Sequence, residues 1–123
     1  VLMRLTLIRH GHTASNAGGG THLSGRTDVP LSARGREEVH RLRERLRGTA
    51  PFAAIYTSPL QRAYQTAEEL AEVGLGPLRV CEALQEIDCG ALDGLAIAEV
   101  RRRFPELWAA NLRQDDDGFR WPA

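Results

Sequence analysis

The chain has 123 residues, 16 Asp+Glu against 16 basic residues, no net formal charge, and 42% apolar residues. That size holds one domain or part of one, and the apolar fraction supports a packed core and excludes a disordered chain. Balanced charge argues against a protein held mainly by nucleic-acid phosphates or by an anionic membrane surface. No apolar run reaches the roughly 20 residues of a membrane helix, and residues 1–8 are too short a stretch, too soon interrupted, for a signal peptide. Cys81 and Cys89 make no disulfide framework and are read as reduced thiols, which points to the cytoplasm. All 16 basic residues are Arg. The lack of Lys removes Schiff-base and P-loop lysine chemistry.

In chain order, residues 4–8 form a short apolar run that predicts a buried strand. Residues 11–30 hold Gly11, Gly18, Gly19, Gly20, Gly25 and Pro30 and predict a long loop, a kind that is usually functional. Ser32 is placed to cap a helix running to about Arg47, with Val39, Leu42 and Leu46 as its apolar stripe and Glu37–Arg41 as a supporting pair. Gly48 ends it. Residues 52–57 predict a second strand. Ser58-Pro59 then opens a helix, cap first and proline next, that buries Ala63, Ala67, Leu70 and Ala71. Residues 78–81 predict a third strand. Helices follow over 97–103 and from Pro105, the latter with Leu107, Trp108 and Leu112 as apolar contacts. Residues 115–118 read as a solvated acidic loop. Strands alternating with helices imply βαβ units and a parallel sheet.

In such sheets ligands bind beyond the carboxyl ends of the strands. That places Arg9-His10-Gly11 and the segment Ser58 to Arg62 at one rim. A neutral imidazole nitrogen is a nucleophile for phosphorus. The charge that collects on the phosphoryl oxygens calls for arginines, whose fork matches them, and for free helix N–H groups. His10, Arg9 and Arg62 supply these parts. On spacing alone a surface arginine and an ordinary loop histidine explain the same residues.

The segment Leu7 to Asn16 (LIRHGHTASN) resembles the signature of the histidine phosphatase superfamily, the phosphoglycerate-mutase-like fold. Gly25 to Gly35 (GRTDVPLSARG), Ser58 to Ala67 (SPLQRAYQTA) and Leu84 to Gly90 (LQEIDCG) resemble its next three segments in order. The likeness is collinear from about residue 4 to residue 94. It implies an α/β three-layer sandwich with a mostly parallel sheet. By resemblance His10 becomes phosphorylated, Arg9 and Arg62 hold the phosphate, and Asn16 adds a polar contact. Glu86 is then the proton donor to the leaving group and afterwards the base for water. An enclosed anionic site would raise its carboxyl pKa toward that task. Ser24 and Gly25 are the expected substrate-binding residues. No cofactor and no metal are expected.

The family's second catalytic histidine, at the end of a later strand beside the first, has no counterpart. His12, His22 and His40 all precede the second strand, and His40 reads as a surface residue. Residues 1–123 are therefore expected to be a single domain truncated at its C-terminal end, with an incomplete sheet. The uncovered first-strand edge would favour a homo-oligomer. The segment Ile87-Asp88-Cys89 lacks the basic and aromatic residues of the mutases, so the compact phosphatase branch is expected. Its Gly-Trp-Glu-Gly segment appears as Gly90 to Gly94 without the Trp. The expected activity is hydrolysis of a small phosphomonoester: a sugar phosphate, a phosphoglycerate or α-ribazole phosphate. The alternatives are a cofactor-dependent phosphoglycerate mutase and a non-catalytic phosphate-binding homologue. A metal site on His10, His12, His22 and Asp28 fits no common zinc spacing, and Arg9 would repel the cation. The Arg34 to Arg47 helix is a nucleic-acid surface only if Glu37, Glu38 and Glu44 are ignored, and it reads as a solvated face.

Overall fold

A computed structural model describes residues 2–16, 22–49, 51–113 and 119–122. Helix α1 spans Ala33–Leu46, and the Ser32 hydroxyl caps it by accepting from the Gly35 N–H at 3.1 Å. It buries Val39 and lies against helix α2, Gln61–Glu72. Arg43 of α1 reaches Glu69 of α2 at 3.0 Å and ties the two.

Strands β1 (Ile55–Thr57) and β2 (Leu78–Val80) pair in parallel, with Ile55 opposite Leu78 and Thr57 opposite Val80. Bonds from Ile55 N–H to Pro77 C=O (2.9 Å) and from Cys81 N–H to Thr57 C=O (2.8 Å) continue the ladder at both ends. Helix α2 is the crossover between them, and its Ala67 and Leu70 are buried. The molecule is thus α/β, built on a βαβ unit. Helices α3 (Ile97–Arg103) and α4 (Pro105–Arg113) follow. Their packing forms a separate apolar cluster of Cys89, Leu92, Val100 and Trp121, against which Phe104 and Trp108 lie. Val100 has no exposed surface, a burial worth roughly 1.5–3 kcal/mol.

Several expectations need correction. Residues 4–8 make no ladder and are not buried: Leu5 is 73% and Leu7 86% exposed. A strand exists only through a neighbour's hydrogen bonds, and among the described residues the sheet has two strands, β1 and β2. Between residues 4–8 and β1 lies an apolar cavity of about 660 Å³, floored by Thr66, Ala67 and Leu70. The second strand begins at Ile55 rather than Phe52. Helix α2 begins at Gln61, past Ser58-Pro59, because its first free N–H is taken by a distant side chain: Asp28 accepts from Gln61 N at 2.7 Å. Its buried face is Arg62, Thr66, Ala67 and Leu70, a stripe rotated from the expected one toward polar residues. Leu112 faces outward. The loop 11–30 carries structure, with a 3-10 turn over Ala14–Asn16 and bridges of Thr13 with Leu31 and of His22 with Ala96. The acidic loop 115–118 and most of the glycine run fall outside the described residues.

Candidate active site

His10 follows the exposed N-terminal segment and is half-buried. Its Nδ1 lies 2.8 Å from the Gly11 carbonyl oxygen. A carbonyl only accepts, so Nδ1 carries the proton, and a neutral ring keeps its lone pair on Nε2. The Gly11 N–H donates to Thr66 Oγ1 at 3.2 Å, and that hydroxyl donates to the Arg62 carbonyl at 2.8 Å. The His10–Gly11 corner is therefore strapped to α2 one turn beyond Arg62. The corner also presses on α1. A Cβ on Gly35 would meet the His12 carbonyl oxygen at 2.1 Å, and one on Gly11 would meet the Gly35 oxygen at 2.7 Å. Glycine at both places lets the two backbones touch.

His12 ties this corner to the start of α1. Its N–H donates to Glu38 Oε2 at 2.9 Å, and its Nδ1 lies 2.7 Å from Ser32 Oγ. That N–H, with the Arg34 side chain next in effect, holds the Glu38 carboxyl below its ordinary range. Asn16 folds back so that its Oδ1 accepts from Thr13 N–H (3.1 Å) and Thr13 Oγ1 (3.0 Å), which leaves its NH₂ as the group to offer an anion.

Arg62 is 4% exposed. Its Nη1 donates to Thr27 C=O at 2.9 Å, and its Nη2 to Ser24 C=O at 3.0 Å and Gly25 C=O at 2.8 Å. Ser24 and Gly25 thus meet the site through their carbonyls. The structure brings Arg62, Ser24 and Gly25 into direct contact and links His10 to Arg62 through Gly11 and Thr66. Arg9 and Glu86 are both exposed. Glu86 is not enclosed; its Oε1 accepts from the Ile87 N–H at 2.9 Å. His22 is exposed, and His40 lies beside Arg43 on the surface of α1. Cys89 is buried, which raises its thiol pKa, with Asp93 adding to the effect. Both cysteines are free. Among the described residues no group of three or more His, Cys, Asp or Glu is placed to hold a metal, and no helix is long and apolar enough to cross a membrane.

Three supporting residues escape a reading of motifs alone: Thr66, Asp28 and Asp93. Thr66 was legible in part, since it stands four residues after Arg62 and so shares its helix face. Asp28 and Asp93 act across more than 30 residues of sequence, where spacing carries no signal.

The family described as histidine phosphatase superfamily (branch 1) matches residues 5–122. A probable phosphatase of Schizosaccharomyces pombe is 32% identical over 113 residues, which cover 89% of this chain and 39% of that protein. Phosphoserine phosphatase 1 of Hydrogenobacter thermophilus is 33% identical over 105 residues, 85% of this chain and 48% of that one. The solved structure of a mycobacterial glucosyl-3-phosphoglycerate phosphatase with VO3 superposes with a TM-score of 0.73 at 34% identity, over 82% of this chain and 47% of that one. The chain spans less than half the length of each of these proteins.

Proposed function

The chain belongs to the histidine phosphatase superfamily, and from that premise we propose that it carries the nucleophile half of a phosphomonoesterase of the cytoplasm. His10 Nε2 attacks the phosphorus of a small phosphate ester, the P–O bond to the leaving group breaks, and the ring is left as a phosphohistidine. Glu86 gives its proton to the departing alkoxide. Water then attacks the phosphohistidine, Glu86 takes the water's proton, and inorganic phosphate leaves with the ring neutral again. Arg9 and Arg62 neutralise the charge that spreads over the phosphoryl oxygens, and the Asn16 NH₂ adds a donor. The exposed Glu86 must draw in over the substrate to act.

The observation that carries this reading is the Nδ1 contact to the Gly11 carbonyl, which leaves the nitrogen opposite it free to attack. The test is incubation with a ³²P-labelled phosphate ester. Acid-labile, base-stable label on the protein is expected, and His10→Ala should abolish it. Label that persists in His10→Ala would overturn the assignment.

A second reading concerns turnover. His12 Nδ1 is engaged by Ser32 Oγ, His40 Nδ1 by Arg43, and His22 bridges to Ala96, and none of the three stands at the end of a later strand. We infer that the cavity between residues 4–8 and β1 is the slot of a further strand bearing a second imidazole for the phosphoryl group, supplied by the rest of a longer protein or by a second copy. Without it, the chain is expected to accept phosphate and hold it, the non-catalytic homologue's behaviour. Full turnover by a monomer whose intact mass matches 123 residues would contradict the inference.

A further inference from the structure

The segment Ser24–Asp28 is gripped on both of its hydrogen-bonding edges. On one edge the buried Arg62 guanidinium takes the carbonyls of Ser24, Gly25 and Thr27. On the other edge a single carboxylate takes the donors. Asp93 Oδ2 accepts from the N–H groups of Arg26 (2.7 Å) and Thr27 (3.0 Å), and Asp93 Oδ1 accepts from Thr27 Oγ1 (2.8 Å). A cation and an anion therefore act on one peptide unit, Gly25–Arg26, the cation through its C=O and the anion through its N–H. Thr27 is bonded to both.

Asp93 is itself fixed. It follows the 3-10 turn Gly90–Leu92, and its N–H donates to the Gly90 carbonyl at 3.1 Å. The next residues clasp the start of the loop: Gly94 N–H donates to Leu23 C=O at 2.7 Å, and Leu23 N–H donates to Leu95 C=O at 2.9 Å. Gly94 adopts φ +84°, a conformation suited to glycine. Leu92 on one side is anchored in the apolar cluster with Val100 and Trp121. So the carboxylate is carried on a rigid mount, and the loop hangs from it.

We propose that Asp93 is a positioning residue for the phosphate site, acting through the Ser24–Asp28 loop on Arg62. The guanidinium spends three N–H···O=C bonds on that loop, so the direction of its remaining donors follows the loop's position. If the amide edge is released, the carbonyls that orient Arg62 move with it. Hydrogen bonds to charged groups are the strong ones, and the Gly25–Arg26 peptide, bonded to both charges, is polarised by them in the same sense. The proposal deepens the phosphatase reading and rests on it.

The experiment uses the whole chain and orthovanadate as the probe, with Asp93→Ala and Asp93→Asn. Vanadate affinity is measured by calorimetry, amide exchange at Arg26 and Thr27 by NMR, and folding by the urea midpoint. Asp93→Ala should lose protection at both amides and bind vanadate roughly tenfold more weakly. Asp93→Asn keeps one acceptor oxygen and should fall between. Both changes should persist when the midpoint is matched to the wild type by stabilising co-solvent, which separates aim from general stability. Wild-type vanadate affinity in Asp93→Ala, with protection unchanged, overturns the role of Asp93 and leaves the phosphatase reading standing. Failure of the wild-type chain to bind vanadate overturns both.

Discussion

Glu38 is held ionised by a backbone N–H. The His12 amide points at its carboxylate from 2.9 Å, and Arg34 approaches from the next turn at 2.8 Å. The carboxyl therefore titrates below its ordinary value of 4.5 in the folded chain. A depressed folded-state pKa means the unfolded chain takes up the proton first. The stabilisation is present above the unfolded value and is lost as pH falls through the folded one. Glu38→Gln should be less stable than the wild type at neutral pH, and the gap should close below the ordinary carboxylate range; urea midpoints across that interval check it. A gap that stays constant with pH would show that packing, not charge, is what Glu38 contributes. His10 and Arg62 stood out in the sequence because each sits in a short motif, the one just after the run 4–8 and the other in the first turn of α2. The tautomer of His10 and the three carbonyls on Arg62 were not legible there, since they depend on which backbone oxygen comes near.

Helix α2 shows the same division one level up. Its existence and its extent to Glu72 follow from apolar periodicity and the glycines after it. Its first turn does not. Ser58-Pro59 has the composition of a cap, yet the Ser58 hydroxyl accepts from Leu60 N–H at 3.2 Å, inside the turn before the helix. Asp28 supplies the cap from the other side of the site, to Gln61 N–H at 2.7 Å and Gln61 Nε2 at 3.3 Å. Asp28→Ala should therefore lower stability by about 1 kcal/mol, the usual cost of losing a cap. It should also raise amide exchange in the first turn, where Arg62 sits, more than in the last. Equal exchange at both ends would mean that the cap does no local work. The buried stripe was misplaced for a related reason. Arg62 and Thr66 are polar and were not counted in the buried stripe, but Arg62 is satisfied by the carbonyls of the 24–27 loop and Thr66 by the Gly11 N–H and the Arg62 carbonyl, and a satisfied polar group can be buried without penalty.

Across the whole molecule the unfinished feature is the edge of the sheet. Residues 4–8 carry the exposed Leu5 and Leu7 and line the 660 Å³ cavity beside β1. An unpaired edge next to exposed apolar side chains favours pairing with another chain. Sedimentation of the 123-residue chain should show association that rises with concentration, and Leu7→Lys should shift it toward monomer without changing the far-UV spectrum. A monomer at every concentration that also fails to bind an apolar dye would remove the basis for the slot. The elements downstream behave differently. α3 and α4 close their own cluster around Val100 and Trp121, so their boundaries were readable from local pattern, apart from Leu112, which points to solvent.

The sequence by itself determined the strand–helix–strand order of β1, α2 and β2 and the family likeness. Each is written in short stretches, where spacing fixes face and direction. The tertiary structure alone decided that residues 4–8 stay unladdered, that Asp28 rather than Ser58 caps α2, and that Asp93 and Arg62 grip one loop from opposite edges. Those outcomes turn on hydrogen bonds between groups far apart in the chain, and a backbone donor or acceptor has no residue type by which its distant partner is announced.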